Sequence, residues 1–154
     1  MNRCKHSLFG CRASGIIFYR IINDELHFLL QRVKNNSVYE DLGGKIDITD
    51  NNIWMTAVRE AVEESNGVIY GKTVDECRNY IMNLTERHAY LNTKIKYALF
   101  LVHLPGDDNY DFGDCEYASG FTINRTIEWI SINTIKNKGN KILHPRIRHI
   151  FNVI

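Results

Sequence analysis

The chain has 154 residues, 44% of them hydrophobic and 24% charged, the size and balance of one globular domain over 1–154, which excludes a disordered or fibrous chain. No run approaches the roughly 18 apolar residues of a membrane span, and residues 1–10 lack the apolar core of a secretory signal, so a soluble cytoplasmic protein is expected. Nineteen Lys and Arg against 18 Asp and Glu give a net charge of +1, too little for bulk attraction to nucleic acid.

Residues 13–20 (ASGIIFYR) and 26–32 (LHFLLQR) are apolar, β-branched and aromatic runs separated by a polar turn at Asn23, Asp24 and Glu25, the pattern of a β-hairpin. Residues 39–42 lead into Gly43 and Gly44, where missing side chains allow a tight turn or close approach to a ligand. Over 53–65, Trp54, Ala57, Val58, Ala61 and Val62 recur at three- and four-residue spacing, which predicts a helix with one face on a sheet. Asp50, Asn51 or Asn52 supplies N-cap chemistry, and Asn66-Gly67 supplies a left-handed end. A second helix is predicted over 73–84, with Thr73 and Glu76 as a capping box. Strands follow over 87–91 and 94–104 around an Asn92-Thr93 turn, then an acidic, aromatic loop over 107–120. A short strand at 127–130 and a helix over 145–153, entered at Pro145, complete the chain. Strands and helices mixed in this order make an α/β or α+β domain.

Cys4, Cys11, Cys77 and Cys115 show no CxxC pair and no disulfide-framework spacing, so free thiols are expected. His6 near two of them lacks the fourth ligand a zinc site needs. The chemistry lies instead on the first helix, where Glu60, Glu63 and Glu64 stand three and four residues apart and converge on one side. Alone, such a run reads as a solvated acidic face screened by Arg59. If it binds a cation, its oxygen-only ligands suit Mg²⁺ or Mn²⁺ better than zinc.

The surroundings favour a site. Gly43-Gly44-Lys45-Ile46-Asp47, then Asp50, then Arg59-Glu60-Ala61-Val62-Glu63-Glu64-Ser65-Asn66-Gly67-Val68 resemble the Nudix box, G-x5-E-x7-R-E-U-x-E-E-x-G-U with U aliphatic. The departures are Asp50 for the first Glu, eight residues rather than seven before Arg59, and one extra residue at Ser65-Asn66-Gly67. The resemblance implies an α/β/α sandwich with a mixed sheet and metal-assisted hydrolysis of a diphosphate bond. It implies Glu60, Glu63 and Glu64 as metal ligands, Glu64 central among them, and Glu60 or a neighbour acting on the attacking water. Gly44 would lend a carbonyl to the metal, and Arg59 would hold the carboxylates by ion pairing.

A further acid from a late loop is expected in this family, and Glu116 is chosen over Asp111, Asp114 and Glu128. Lys45 and Arg32 are candidate phosphate contacts. Tyr90, Tyr110, Phe112 and Tyr117 are possible base-stacking surfaces, though burial is the commoner fate of such residues. Trp129 reads as core, and His88, His103, His144 and His149 have no metal spacing. Three functions compete: hydrolysis of a nucleoside diphosphate linked to another moiety, removal of a capped RNA 5′ end, and non-catalytic nucleotide sensing. The intact acidic cluster weighs against the last. Partners are then a small nucleotide substrate or capped RNA, with a homodimer open.

Overall fold

A computed structural model describes residues 10–33, 36–113, 115–116 and 123–154, with the backbone alone at Cys115, Glu116 and Ile123. Strand β1 (Ala13–Ile22) turns into β2 (Glu25–Val33) with Ile22 opposite Glu25. Asn23 and Asp24 have φ of 51° and 62°, the left-handed pair that a two-residue hairpin turn requires, and short polar side chains tolerate it.

Both edges of β1 are occupied. On one, β5 (Tyr97–His103) runs parallel from Ala13↔Tyr97 to Tyr19↔His103. On the other, β3 (Leu42–Lys45) pairs with the first half of β1 and β2 with the second, both antiparallel. Strands β4 (Arg87–Asn92), β6 (Cys115–Glu116) and β7 (Ile123–Ser131) extend the sheet in the order β4-β5-β1-β2-β7-β6, with β3 beside β1.

Alternation along the strands then fills two cores. Ile16, Phe18, Leu29, Ala98, Phe100 and Val102 face α1 (Ile53–Glu64) and α2 (Val74–Met82). Ile17, Phe28, Leu30, Leu99 and Leu101 face α3 (Ile132–Lys138) and α4 (Arg148–Val153). The result is the expected α/β/α sandwich with a mixed sheet. Ala57 and Ala61 are fully buried, and their small side chains let α1 lie close against the sheet.

The helix ends follow from local chemistry. Asn52 caps α1, its Oδ1 accepting the Met55 N–H at 2.9 Å, so Asp50 is left for another task. At the other end Asn66 (φ 58°) and Gly67 (φ 65°) are left-handed, and the Gly67 N–H closes on the Val62 carbonyl at 2.9 Å. Thr73 caps α2, but the Glu76 carboxylate takes the Lys72 N–H at 2.8 Å, one residue earlier than a standard capping box.

Several boundaries differ from expectation. The strand predicted over 94–104 starts at Tyr97, because Asn92 Oδ1 accepts the Lys94 and Ile95 N–H groups and Lys96 is left-handed, which widens the turn. The strand predicted at 127–130 spans Ile123–Ser131, since its pairing with β2 carries polar positions that no apolar pattern marks. Helix α3 was not predicted; Ser131 caps it and Gly139 ends it, yet Ile135 is its one buried residue. The predicted helix over 145–153 is split into a 3₁₀ turn, Pro145–Ile147, and α4. No helix among the described residues is long and apolar enough to cross a membrane. Cys11 and Cys77 are free and buried, which raises both thiols above their ordinary value.

Candidate active site

Strand β3 packs along α1, with the bare side of Gly44 toward Glu60 and that of Gly43 toward Tyr97 and Gly15. Neither Gly43 nor Gly44 is left-handed, so of the two expectations for this pair the tight turn gives way to an extended strand, and close packing is what demands glycine. A Cβ on Gly44 would stand 2.5 Å from the Glu60 carboxylate, and one on Gly43 would meet the Tyr97 hydroxyl and come within 2.7 Å of Gly15 Cα. Glu60 therefore rests on bare backbone.

Glu64 lies on the inner side of the same helix, 7% exposed. Its Oε1 accepts the Gly43 N–H at 2.5 Å, and its Oε2 accepts Gln31 Nε2 at 2.9 Å and Arg125 Nη1 at 2.7 Å. Burial pushes its carboxyl up to about 8, against the lowering by Gln31 and Arg125. Strand alternation explains why these partners meet: Gln31 follows Leu29 on the α1 face of β2, and Arg125 precedes Ile127 on the same face of β7.

Arg59 organises the outer side. Its Nε and Nη2 grip the two oxygens of Asp50 at 2.9 and 3.0 Å, a bidentate pair with geometric specificity. Nη1 reaches Glu60 at 3.0 Å and Glu63 at 3.4 Å, and Nη2 also donates to the Lys45 carbonyl at 2.8 Å. Burial works against the Arg59 charge, but Asp50, Glu60 and Glu63 outweigh it and hold the guanidinium above its ordinary range. Burial likewise penalises the Asp50 carboxylate, yet Arg59, the Asp47 N–H and the Thr56 hydroxyl prevail and its value is lowered.

A second buried network backs β3. Asp41, fully buried, takes the Tyr97 hydroxyl and Arg146 Nε, the latter at 2.7 Å. Its carbonyl accepts Gln31 Nε2 at 2.8 Å. The 3₁₀ turn that carries Arg146 is thereby linked through Asp41 and Gln31 to Glu64.

Arg59 gathers Glu60 and Glu63, and Glu60 lies against the Gly44 backbone, while Glu64 is turned inward onto the Gly43 N–H. Lys45 meets Arg59 through its carbonyl, and its side chain is exposed. Arg32 is on the opposite face of β2 from Gln31, with its guanidinium over the Tyr39 ring at 5.2 Å, away from Glu64. Glu128 is also on that face, accepting the Tyr39 hydroxyl at 2.5 Å. Asp111 accepts the Gly113 N–H in its own loop. The Glu116 side chain, Asp114 and Tyr117 lie outside the described residues. Phe112 is buried, its carbonyl held by Asn66 Nδ2 at 2.9 Å, and Tyr90, Tyr110 and Trp129 pack against the cores.

Sequence reasoning missed Gln31, Asp41, Tyr97, Arg125 and Arg146. The usable signal was at Gln31, a polar residue on the buried beat of an apolar strand.

Among the described residues no three His, Cys, Asp or Glu side chains stand grouped as a metal site, because the acids are turned onto Arg59, Arg125 and the Gly43 N–H. The donor chemistry nevertheless fits a hard divalent cation. Carboxylates from adjacent turns of one helix border backbone that carries no side chain, and among the described residues no thiol or imidazole joins them.

No family model and no curated protein matches the sequence. Solved structures do resemble the fold. The Ap4A hydrolase of C. elegans, in a binary complex, is 17% identical over 92% of this chain and 94% of its own, with a TM-score of 0.52. A NUDIX hydrolase structure from Listeria monocytogenes is 12% identical over 92% of this chain and 89% of its own, at 0.56. The NUDIX domain of Shewanella oneidensis NrtR, complexed with ADP ribose, is 12% identical over 92% and 84%, at 0.54. The architecture is therefore of the Nudix type. Within it, the Arg59 and Glu60–Glu64 helix supplies the candidate centre.

Proposed function

We propose that this protein is a Mg²⁺- or Mn²⁺-dependent hydrolase of the diphosphate bond in a nucleoside diphosphate linked to another moiety. One observation carries the reading: on a Nudix-type fold, the Glu60 carboxylate rests on the bare Gly44 backbone while Glu64 is buried one turn on. The neighbours point the same way, one being an Ap4A hydrolase and another holding ADP ribose.

Glu60, Glu63 and Glu64, with the Gly44 carbonyl, would hold the metal. When bound, the metal neutralises the diphosphate charge and lowers the pKa of a coordinated water. Arg59 keeps Glu60 and Glu63 from splaying apart by mutual repulsion and is itself fixed by Asp50. Gln31, Arg125 and the Gly43 N–H set the orientation of Glu64. Glu60 or Glu63, whose carboxylates are partly exposed, orients the attacking water or takes its proton. Glu116 and Lys45 are proposed as a further acid and a phosphate contact.

The test is incubation with Mg²⁺ and nucleotide sugars, dinucleoside polyphosphates, nucleoside triphosphates and capped RNA, alongside Glu64→Gln. Turnover of a nucleotide by wild type, lost in the variant, is the expected result. Equal turnover by both removes the metal role. Reaction of capped RNA alone makes this a decapping enzyme, and nucleotide binding without any turnover makes it a sensor.

A further inference from the structure

Between α1 and α2 runs an open groove of about 470 Å³ that shares Arg59 and Glu63 with the site described above. Its volume is in the small-molecule class, roughly 300–1,000 Å³. Arg59, Val62, Glu63 and Asn66 form one wall, at the spacing of a single helical flank. At 1.5 Å per residue that flank is about 10 Å long, the span of one nucleotide moiety. Gly67, Val74 and Arg78 form the other wall.

Three features fit this groove to a ligand that is part apolar and part anionic. Val74, at the first turn of α2, is 50% exposed and with Val62 gives the groove an apolar lining. A Cβ on Gly67 would come within 3.0 Å of Val74 Cγ2, so glycine keeps the groove open there. The Arg78 side chain is 44% exposed and paired at 3.1 Å with Asp75, itself 83% exposed. So solvated a pair is weak, and a phosphate would compete well for the guanidinium fork.

Glu63 belongs both to this groove and to the acidic cluster. A ligand whose diphosphate lies over Glu60, Glu63 and Glu64 thus has a continuous path toward Arg78. The geometry points to this groove as the subsite for the phosphorylated moiety beyond the cleaved bond, with Arg78 on a phosphate and Val62 and Val74 along the sugar. The inference rests on the pyrophosphohydrolase reading for what sits over the acids. Its rival is a groove left by ridge packing of two helices, with no ligand.

The test compares wild type, Arg78→Ala, Arg78→Lys and Val74→Trp, each titrated in Mg²⁺ with α,β-methylene ATP and with inorganic pyrophosphate. Losing a charge-assisted hydrogen bond should weaken the analogue about tenfold in Arg78→Ala, with partial recovery in Arg78→Lys. Val74→Trp fills the groove and should weaken the analogue likewise. Pyrophosphate, too short to span both regions, should bind all four proteins equally, and amide signals of Gly67 and Val74 should shift with the analogue alone. Unchanged analogue affinity in Arg78→Ala and Val74→Trp, equal losses for both probes, or no binding of the analogue by wild type would each overturn the subsite. Turnover by wild type with binding indifferent to Arg78 removes the groove and leaves the hydrolase. Binding dependent on Arg78 without turnover of any nucleotide does the reverse.

Discussion

The Gln31 amide nitrogen donates at once to Glu64 Oε2, at 2.9 Å, and to the Asp41 carbonyl, at 2.8 Å. One side chain on β2 thus ties the buried acid of α1 to the segment entering β3, while its own oxygen accepts from Arg125. Gln31→Leu would leave two buried acceptors short of a donor, about 1–3 kcal/mol for each group stranded. If Glu64 is the metal ligand, kcat should fall by about ten- to a hundredfold with KM little changed. Steady-state kinetics on the substrate found in the panel checks this, and a raised KM with intact kcat would show Gln31 to contact substrate instead.

Arg125→Met tests the other partner. The side chains of Arg125 and Glu64 are 4% and 9% exposed, so solvent screens the pair little, and removing the cation should cost about 3–5 kcal/mol above about pH 8, where Glu64 is ionised. Urea denaturation without metal reads the loss directly. A change below about 1 kcal/mol would mean that Gln31 and the Gly43 N–H suffice to satisfy Glu64.

The two glycines of β3 should separate stability from activity. An added methyl at Gly43 meets backbone at Gly15 Cα and the Ser14 carbonyl, so Gly43→Ala should cost about 3 kcal/mol or more. At Gly44 the methyl meets the movable end of Glu60. Gly44→Ala should therefore cost only about 1 kcal/mol while displacing Glu60 and reducing metal-dependent turnover by at least about tenfold. Thermal melts and kinetics on both variants decide it, and full activity in Gly44→Ala would remove Glu60 from the proposed metal site.

The Glu64 carboxyl provides a pH signature. Burial raises its folded value to about 8 from an ordinary 4.5. A raised acid contributes stability that is present below the ordinary value and is lost as pH rises through the folded one. Without metal, the melting temperature should fall between about pH 5 and 8 on this account, and Glu64→Gln should flatten that slope. Metal needs the carboxylate form, so added Mg²⁺ should raise the melting temperature more at about pH 8 than at about pH 6, with proton release in calorimetry. Identical slopes for wild type and variant would assign the pH dependence to other groups.

Much of this was legible in the chain because it depends on local chemistry. The hairpin at Asn23-Asp24, the helix Ile53–Glu64 with its left-handed end at Asn66-Gly67, and the Thr73 cap all express conformational preferences acting within a few residues. Helix α3 escaped notice because a polar segment with one buried residue, Ile135, has no period to read. Asp50 was legible as an acid but not in its use. Its bond to Arg59 and its distance from the helix cap depend on how the loop folds back.

By itself the sequence determined that Arg59, Glu60, Glu63 and Glu64 share one helix, since three- and four-residue spacing is a property of the helix. Only the tertiary structure decided that Glu60 rests on Gly44 and that Glu64 is held by Gln31 and Arg125, 33 and 61 residues away. It also decided that Arg32 stands on the far side of the sheet. The reason is strand alternation combined with sheet order: which face a residue takes is set by register with neighbouring strands, and register is a long-range choice made by the whole core.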